Sequence, residues 1–243
     1  FLGRVIGLAY ILPLIYFSFK LKLRDLINLY SIFILICFQG FIGWFMVSSG
    51  LVDRVDVSHF RLSLHLTIAF IILSLILWQI LKHKKILNNN DQFISYNLPF
   101  IFLFFVYIQI IVGAFVSGMD AGKIYNTWPL MGNNYFPDDN IFFNLFNLSA
   151  LSDPSLVQFI HRNLAYIILL LFLLISYLVY NKNLAKFYKI IKLLGIVLLL
   201  QVFLGILTIL SGAQMILASM HQVSSIALVS FSVYLLFINK RIS

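Results

Sequence analysis

Charge is scarce in this chain. Only 10% of its 243 residues are Asp, Glu, Lys or Arg, while 62% are hydrophobic and the mean hydropathy is +1.00. A soluble domain is about half apolar and a quarter charged, so the composition excludes an ordinary soluble fold. Alternating apolar and polar positions are also missing. The apolar runs are long and continuous, which excludes a transmembrane β-barrel and leaves membrane-spanning helices. One cysteine, Cys37, permits no disulfide within the chain, and its mid-helix position reads as apolar packing. There is no Gly-rich phosphate loop, no plausible Ser/His/Asp set and no metalloprotease motif. A charged, cleavable start is absent, so no signal peptide is expected.

What is present is seven apolar stretches, predicting helices over roughly 3–19, 29–49, 62–81, 94–117, 156–180, 187–210 and 214–238. The net charge of +9 invites a nucleic-acid reading, but its distribution is topological. Twelve of the 17 basic residues follow the first, third, fifth and seventh helices, among them Lys20, Lys22, Arg24, Lys82, Lys84, Lys85, Lys182, Lys186, Lys189, Lys192, Lys240 and Arg241. The positive-inside rule places those ends in the cytoplasm or matrix. Contact with anionic lipid accounts for the charge, and no nucleic acid is implied.

The chain repeats itself. Gln39, Phe41, Gly43, Ser49 and Gly50 recur as Gln201, Phe203, Gly205, Ser211 and Gly212, each 162 positions later without a gap. Each copy is followed by a helix bearing an intramembrane histidine, His65 or His221, and the second copy is preceded by another, His161. Subtracting the repeat from His161 lands two places before Phe1. The expectation is therefore an all-α membrane protein built as two four-helix bundles in tandem, with seven helices present and the first missing. Residues 1–86 form the first bundle and 87–243 the second. The Asn-rich segment 87–92 is the boundary, and the long loop 118–155 lies on the outer side. Within that loop Ile141–Leu148 is apolar enough to lie flat on the membrane, and the Tyr125–Pro129 segment reads as a turn with an aromatic anchor.

Ionisable groups inside a membrane are expensive and usually functional. His65, His161 and His221 each lie one to two turns inside an outer helix end, whereas His83 sits among lysines and His59 at a helix entrance. His161 and His221 fall on the second and fourth helices of the second bundle, which are diagonal across its core. No Cys, Asp or Glu sits at their depth to complete a zinc set. Two facing imidazoles favour axial ligation of haem b over a bare metal. His65 would serve a second haem-sized site in the first bundle, paired with a residue lying before Phe1. Gly43, Gly113 and Gly205 each follow a glutamine by four residues, on one helix face, where small residues allow close packing and glutamine bonds across. Arg61 and Arg162 beside these histidines suit either a haem propionate or a lipid phosphate.

These residues resemble the haem A synthase family of alphaproteobacterial and mitochondrial type. The resemblance runs through Gln39–Leu51, Ser58–Leu66, Val112–Met131 with its AGKIYNTWPLM run, Leu156–Tyr166 and Gln201–Gln222. It implies eight helices, haem b ligated by His161 and His221, and His65 at the site where haem O is converted. It further implies oxidation of a ring methyl of haem O to the formyl of haem A for cytochrome c oxidase. Haem O synthase and an electron-transfer protein are the implied partners, with a homo-oligomer as a further expectation. The location is the bacterial inner membrane or the mitochondrial inner membrane, with the haem sites toward the outer side. The family's first helix, with its Glu and His, would precede Phe1, so a protein of this length alone is expected to be inactive. The outer-loop cysteine pair of some bacterial members is absent. Two other readings stand beside the enzyme: a b-type cytochrome passing electrons from quinol, and a haem carrier.

Overall fold

A computed structural model describes residues 2–50, 57–84, 93–95 and 97–239. Arg54, Lys85, the boundary segment 87–92, Lys240 and Arg241 lie outside the described residues. All seven expected helices form: α1 (Leu2–Ser18), α2 (Leu23–Gly50), α3 (His59–His83), α4 (Asn97–Gly118), α5 (Pro154–Asn181), α6 (Tyr188–Leu210) and α7 (Met215–Asn239). No strand is found among the described residues.

Six of the seven, α2 to α7, are long and apolar enough to cross a membrane; α1, at 17 residues, is shorter. The sequence predicts α2 from 29, but it begins six residues earlier. Asp25 sits in its first turn, where a carboxylate is favoured by the helix dipole, so the charged segment extends the helix. α5 begins as its sequence dictates. The Asp153 carboxylate accepts the Leu156 N–H at 2.9 Å, and Pro154 follows at a position that needs no donor.

Helices α4 to α7 form a closed bundle in which α4 packs on α5 and α7, and α6 on α7 and α5. This leaves α5 and α7 diagonal. The lysine-rich end of the bundle is tied by a reciprocal buried pair: Ile94 N–H donates to Asn239 Oδ1 at 2.8 Å, and Asn239 Nδ2 donates to the Ile94 carbonyl at 3.0 Å. Phe102, Val106, Ile175, Val179, Phe187, Leu194, Val229 and Leu235 fill its interior. Because lipid is as apolar as this core, packing and cross-helix hydrogen bonds hold the helices together, the latter at roughly 0.6 kcal/mol each.

The remaining helices pack in series, α1 on α2, α2 on α3, and α3 on both α4 and α7. Ser63 Oγ donates to the Ile111 carbonyl at 3.1 Å, and Tyr107 Oη to the Phe70 carbonyl at 3.0 Å. At the opposite end a Cβ on Gly118 would stand 2.9 Å from His59 Cα, so only glycine lets α4 approach α3 this closely. Lys82 and Asp25 pair at 3.4 Å at the lysine-rich end. Cys37 is exposed on α2 and so does not fill a packed interior as its mid-helix position suggested. The loop stretch from Ile141 folds into two short 3-10 turns, Phe142–Phe146 and Leu148–Ser152, leaving Phe143 and Leu148 79% and 91% exposed.

Candidate functional site

Three helix hairpins carry one arrangement. In α2–α3, Gln39 Nε2 donates to the His65 backbone carbonyl at 2.9 Å and lies 3.3 Å from the His65 Nε2. In α4–α5, Gln109 does the same to His161, at 3.0 and 3.4 Å. In α6–α7, Gln201 donates to the His221 carbonyl at 3.2 Å, but its second partner is Ser224 Oγ at 2.9 Å. Ser224 in turn donates to the His221 carbonyl at 3.0 Å.

The glycine four residues after each glutamine is where the imidazole rests. A Cβ on Gly43, Gly113 or Gly205 would stand 3.0, 3.0 or 3.2 Å from Cε1 of His65, His161 or His221. One residue type therefore bonds the histidine backbone while the next turn of the same face leaves room for the ring. The spacing alone suggested packing with a bond across; the structure shows that both features converge on the histidine.

His161 and His221 meet across the diagonal of the α4–α7 bundle. Their ring centroids are 6.5 Å apart and their planes are 84° to one another. A metal–imidazole nitrogen bond is about 2 Å and a ring nitrogen lies roughly 1 Å from the centroid. Two imidazoles on one ion should then have centroids roughly 6 Å apart, as these do. The Nδ1 atoms of His65, His161 and His221 are buried with no hydrogen-bond partner among the described residues. An orphaned buried polar atom costs about 1–3 kcal/mol, and five other side-chain atoms share this state, among them Gln39 Oε1 and Gln109 Oε1 beside two of these histidines. Among the described residues no group of three or more His, Cys, Asp or Glu is placed to share a metal ion. Two facing imidazoles are a donor set that would suit haem, whose iron commonly takes histidine.

His65 belongs to a different hairpin, against Gly43, and is not brought into the His161–His221 pair. His59 packs its ring on Phe60 and Phe115, with centroids at 4.2 and 5.5 Å, and is not brought beside His65. His83 is exposed at the lysine-rich end of α3.

Arg162 is engaged by the loop that follows α4. It is 7% exposed. Its Nη1 donates to the carbonyls of Thr127 at 2.9 Å and Leu130 at 3.2 Å, and its Nη2 to that of Tyr125 at 3.0 Å. Gln158 Nε2 also donates to the Tyr125 carbonyl, at 3.0 Å. Trp128 Nε1 donates to Tyr166 Oη at 3.2 Å. Asn126 Nδ2 reaches the other side, to the Ile209 carbonyl at the end of α6, at 3.0 Å. The segment expected to be a turn is thus a strap between α5 and α6 at the histidine end of the bundle. Gln158, Arg162 and Tyr166 fall at i, i+4 and i+8 of α5, a periodicity present in the sequence and not recognised there. Ser224 carried no such signal, and Asn126 stood out only as part of the Tyr125–Pro129 segment. Arg61, the other arginine beside a histidine, lies over the Phe45 ring at 4.7 Å.

Beyond the strap, Asp139 accepts from Ser155 Oγ at 2.6 Å and Tyr125 Oη at 3.0 Å. Partial burial pushes its carboxyl up, but these bonds and one from Asn140 outweigh it and hold the group below its ordinary value.

The sequence model of a family described as "Cytochrome oxidase assembly protein" (COX15-CtaA) matches residues 1–233. The chain is 41% identical over 246 residues to the "Heme A synthase" of Pelagibacter ubique, covering 99% of this chain and 71% of that one. It is 42% identical to the protein of the same name from Rickettsia felis, covering 98% and 72%, and 44% identical to that of Rickettsia bellii, covering 96% and 71%.

Proposed function

Since this chain belongs to the COX15-CtaA family of cytochrome oxidase assembly proteins, we propose that it makes haem A, oxidising a ring methyl of haem O to a formyl group. It does so as an integral membrane oxidoreductase. The observation that carries the site assignment is the His161–His221 pair, 6.5 Å apart across the bundle, with each ring seated on a glycine.

In this reading residues 87–243 form the resident-cofactor bundle, and His161 and His221 would hold the iron of haem b. When bound, that haem supplies one-electron chemistry at its iron, tuned by axial ligands and their hydrogen bonds. Gln109 and Gln201 fix the backbone that carries the two imidazoles. Gly113 and Gly205 fix how far each ring stands from the facing helix. The Tyr125–Leu130 strap limits water at that end of the bundle. Arg162 acts by holding the strap.

Residues 1–86 belong to the substrate bundle. His65 faces haem O there, on the same glutamine–glycine seat. The lysine-rich end lies in the cytoplasm or matrix by the positive-inside rule, which puts both histidine sites toward the outer side. A haem O synthase supplies the substrate, and an electron-transfer protein exchanges electrons with the site.

A bis-imidazole pair alone also suits a b-type cytochrome, so the test is the product. The full-length gene would be co-expressed with a haem O source, and pigments extracted and identified by mass. Wild type is expected to yield haem A. His65→Ala should keep haem b and lose haem A, while His161→Ala should lose both. Wild type carrying haem b and making no haem A would overturn the enzymatic reading.

A further inference from the structure

At the lysine-rich end, away from the histidines, a half-open cavity of about 450 Å³ lies between α3, α6 and α7. Its size is that of a ligand pocket, roughly 300–1,000 Å³. We propose that it binds one anionic phospholipid of the membrane leaflet at that end.

The lining pairs two lysines at one end with a mostly apolar wall that also carries the Ser230 hydroxyl. Lys186 and Lys189 stand where α6 begins. The Lys186 ammonium sits 4.8 Å over the Phe187 ring, a cation–π contact that steadies the charge at the mouth. Leu77 on α3 lies six residues from the helix end at His83, and Leu193 on α6 five residues from Tyr188. At 1.5 Å per residue these two positions are about 7–9 Å in from their helix ends, and Leu193 is about 6 Å deeper than Lys189. Phe231 and Tyr234 of α7 form the back wall, with Ser230 beside them.

No acidic side chain lines the cavity. Two ammonium groups at headgroup level above an apolar wall at acyl depth match a lipid phosphate joined to a hydrocarbon chain. Basic pockets between transmembrane helices on the inner side suit such headgroups. A free phosphate would use the lysines and leave the wall without purpose. A zwitterionic lipid would use the wall and gain little from the lysines.

The test uses purified protein equilibrated with mixed micelles of phosphatidylcholine alone or of phosphatidylcholine with phosphatidylglycerol, with retained lipid counted by native mass spectrometry. Wild type is expected to retain one phosphatidylglycerol in preference to phosphatidylcholine, undisplaced by inorganic phosphate. Each lysine near the surface is worth roughly fivefold in affinity, so Lys186→Gln with Lys189→Gln should weaken retention by about 25-fold. Ser230→Phe fills the cavity while keeping both lysines and should also abolish it. Lys20→Gln with Lys182→Gln, at the same end but off the cavity, should leave retention unchanged. Equal retention of both lipids by wild type, displacement by phosphate, or an undiminished double variant would each overturn the proposal.

Discussion

A Cβ on Gly113 would stand 3.0 Å from Cε1 of His161. That is closer than nearly all real contacts of this kind, so the glycine is a seat for the imidazole. Gly205 gives His221 slightly more room, 3.2 Å. Gly113→Ala should therefore displace its ring further than Gly205→Ala does, with an overpacking cost of about 1–3 kcal/mol. Pigment retained per mole of purified protein, together with the thermal midpoint, checks this. Full haem retention with an unshifted spectrum in Gly113→Ala would show that the seat is unimportant.

Gln109 and Gln201 differ in one respect that should be measurable. Gln109 Nε2 is shared between the His161 carbonyl and the ring nitrogen, whereas Gln201 Nε2 is shared with Ser224. A cross-helix bond in a membrane is worth only about 0.6 kcal/mol on average. Gln109→Leu should then leave the thermal midpoint nearly unchanged while moving the haem midpoint potential. A large loss of stability with an unmoved potential would make Gln109 a packing residue.

Arg162 separates two accounts of the same position. Its guanidinium donates to three strap carbonyls, and hydrogen bonds to a charged group contribute about 1.5–3 kcal/mol. Arg162→Met should expose the Tyr125–Leu130 strap to protease and speed amide exchange there, with haem retained at first. Loss of haem with the strap still protected would restore the propionate role suggested by the sequence.

Much of this was legible in the sequence, for physical reasons. Long apolar runs must become helices in lipid, so all seven were found and only their ends moved. α2 begins early because Asp25 favours a helix start that its charge seemed to exclude. The histidines stood out because ionisable groups inside a membrane are rare, and the glutamine–glycine spacing placed two contacts on one helix face. The partners of those contacts were not legible. Ser224 is one serine among many, and Asn126 reaches Ile209 from 83 residues away. Arg162 was ambiguous because loop carbonyls, propionates and lipid phosphates all accept from a guanidinium.

The 118–155 loop should respond to acid. Asp139 titrates below its ordinary value, so the fold favours its ionised form. Its contribution is whole above the ordinary carboxylate range and is lost as pH falls below about 4. Amide protection, the intrinsic exchange rate relative to the observed rate at each pH, in the segment around Tyr125, Asn140 and Ser155 should be steady from neutral pH down to mildly acidic pH and fall below that range. Asp139→Asn should remove most of this dependence. A loop that loosens instead as pH rises through neutrality would contradict the assignment.

The central claim is that His161 and His221, 6.5 Å apart on diagonal helices, hold one iron between them. The most direct measurement is electron paramagnetic resonance of the oxidised protein purified in a His65→Ala background, so that the first-bundle haem site does not contribute. The account predicts a low-spin bis-histidine signal in that background, and its loss in both His161→Ala and His221→Ala, through conversion to a high-spin species or loss of the haem. A low-spin signal that survives either substitution would contradict it.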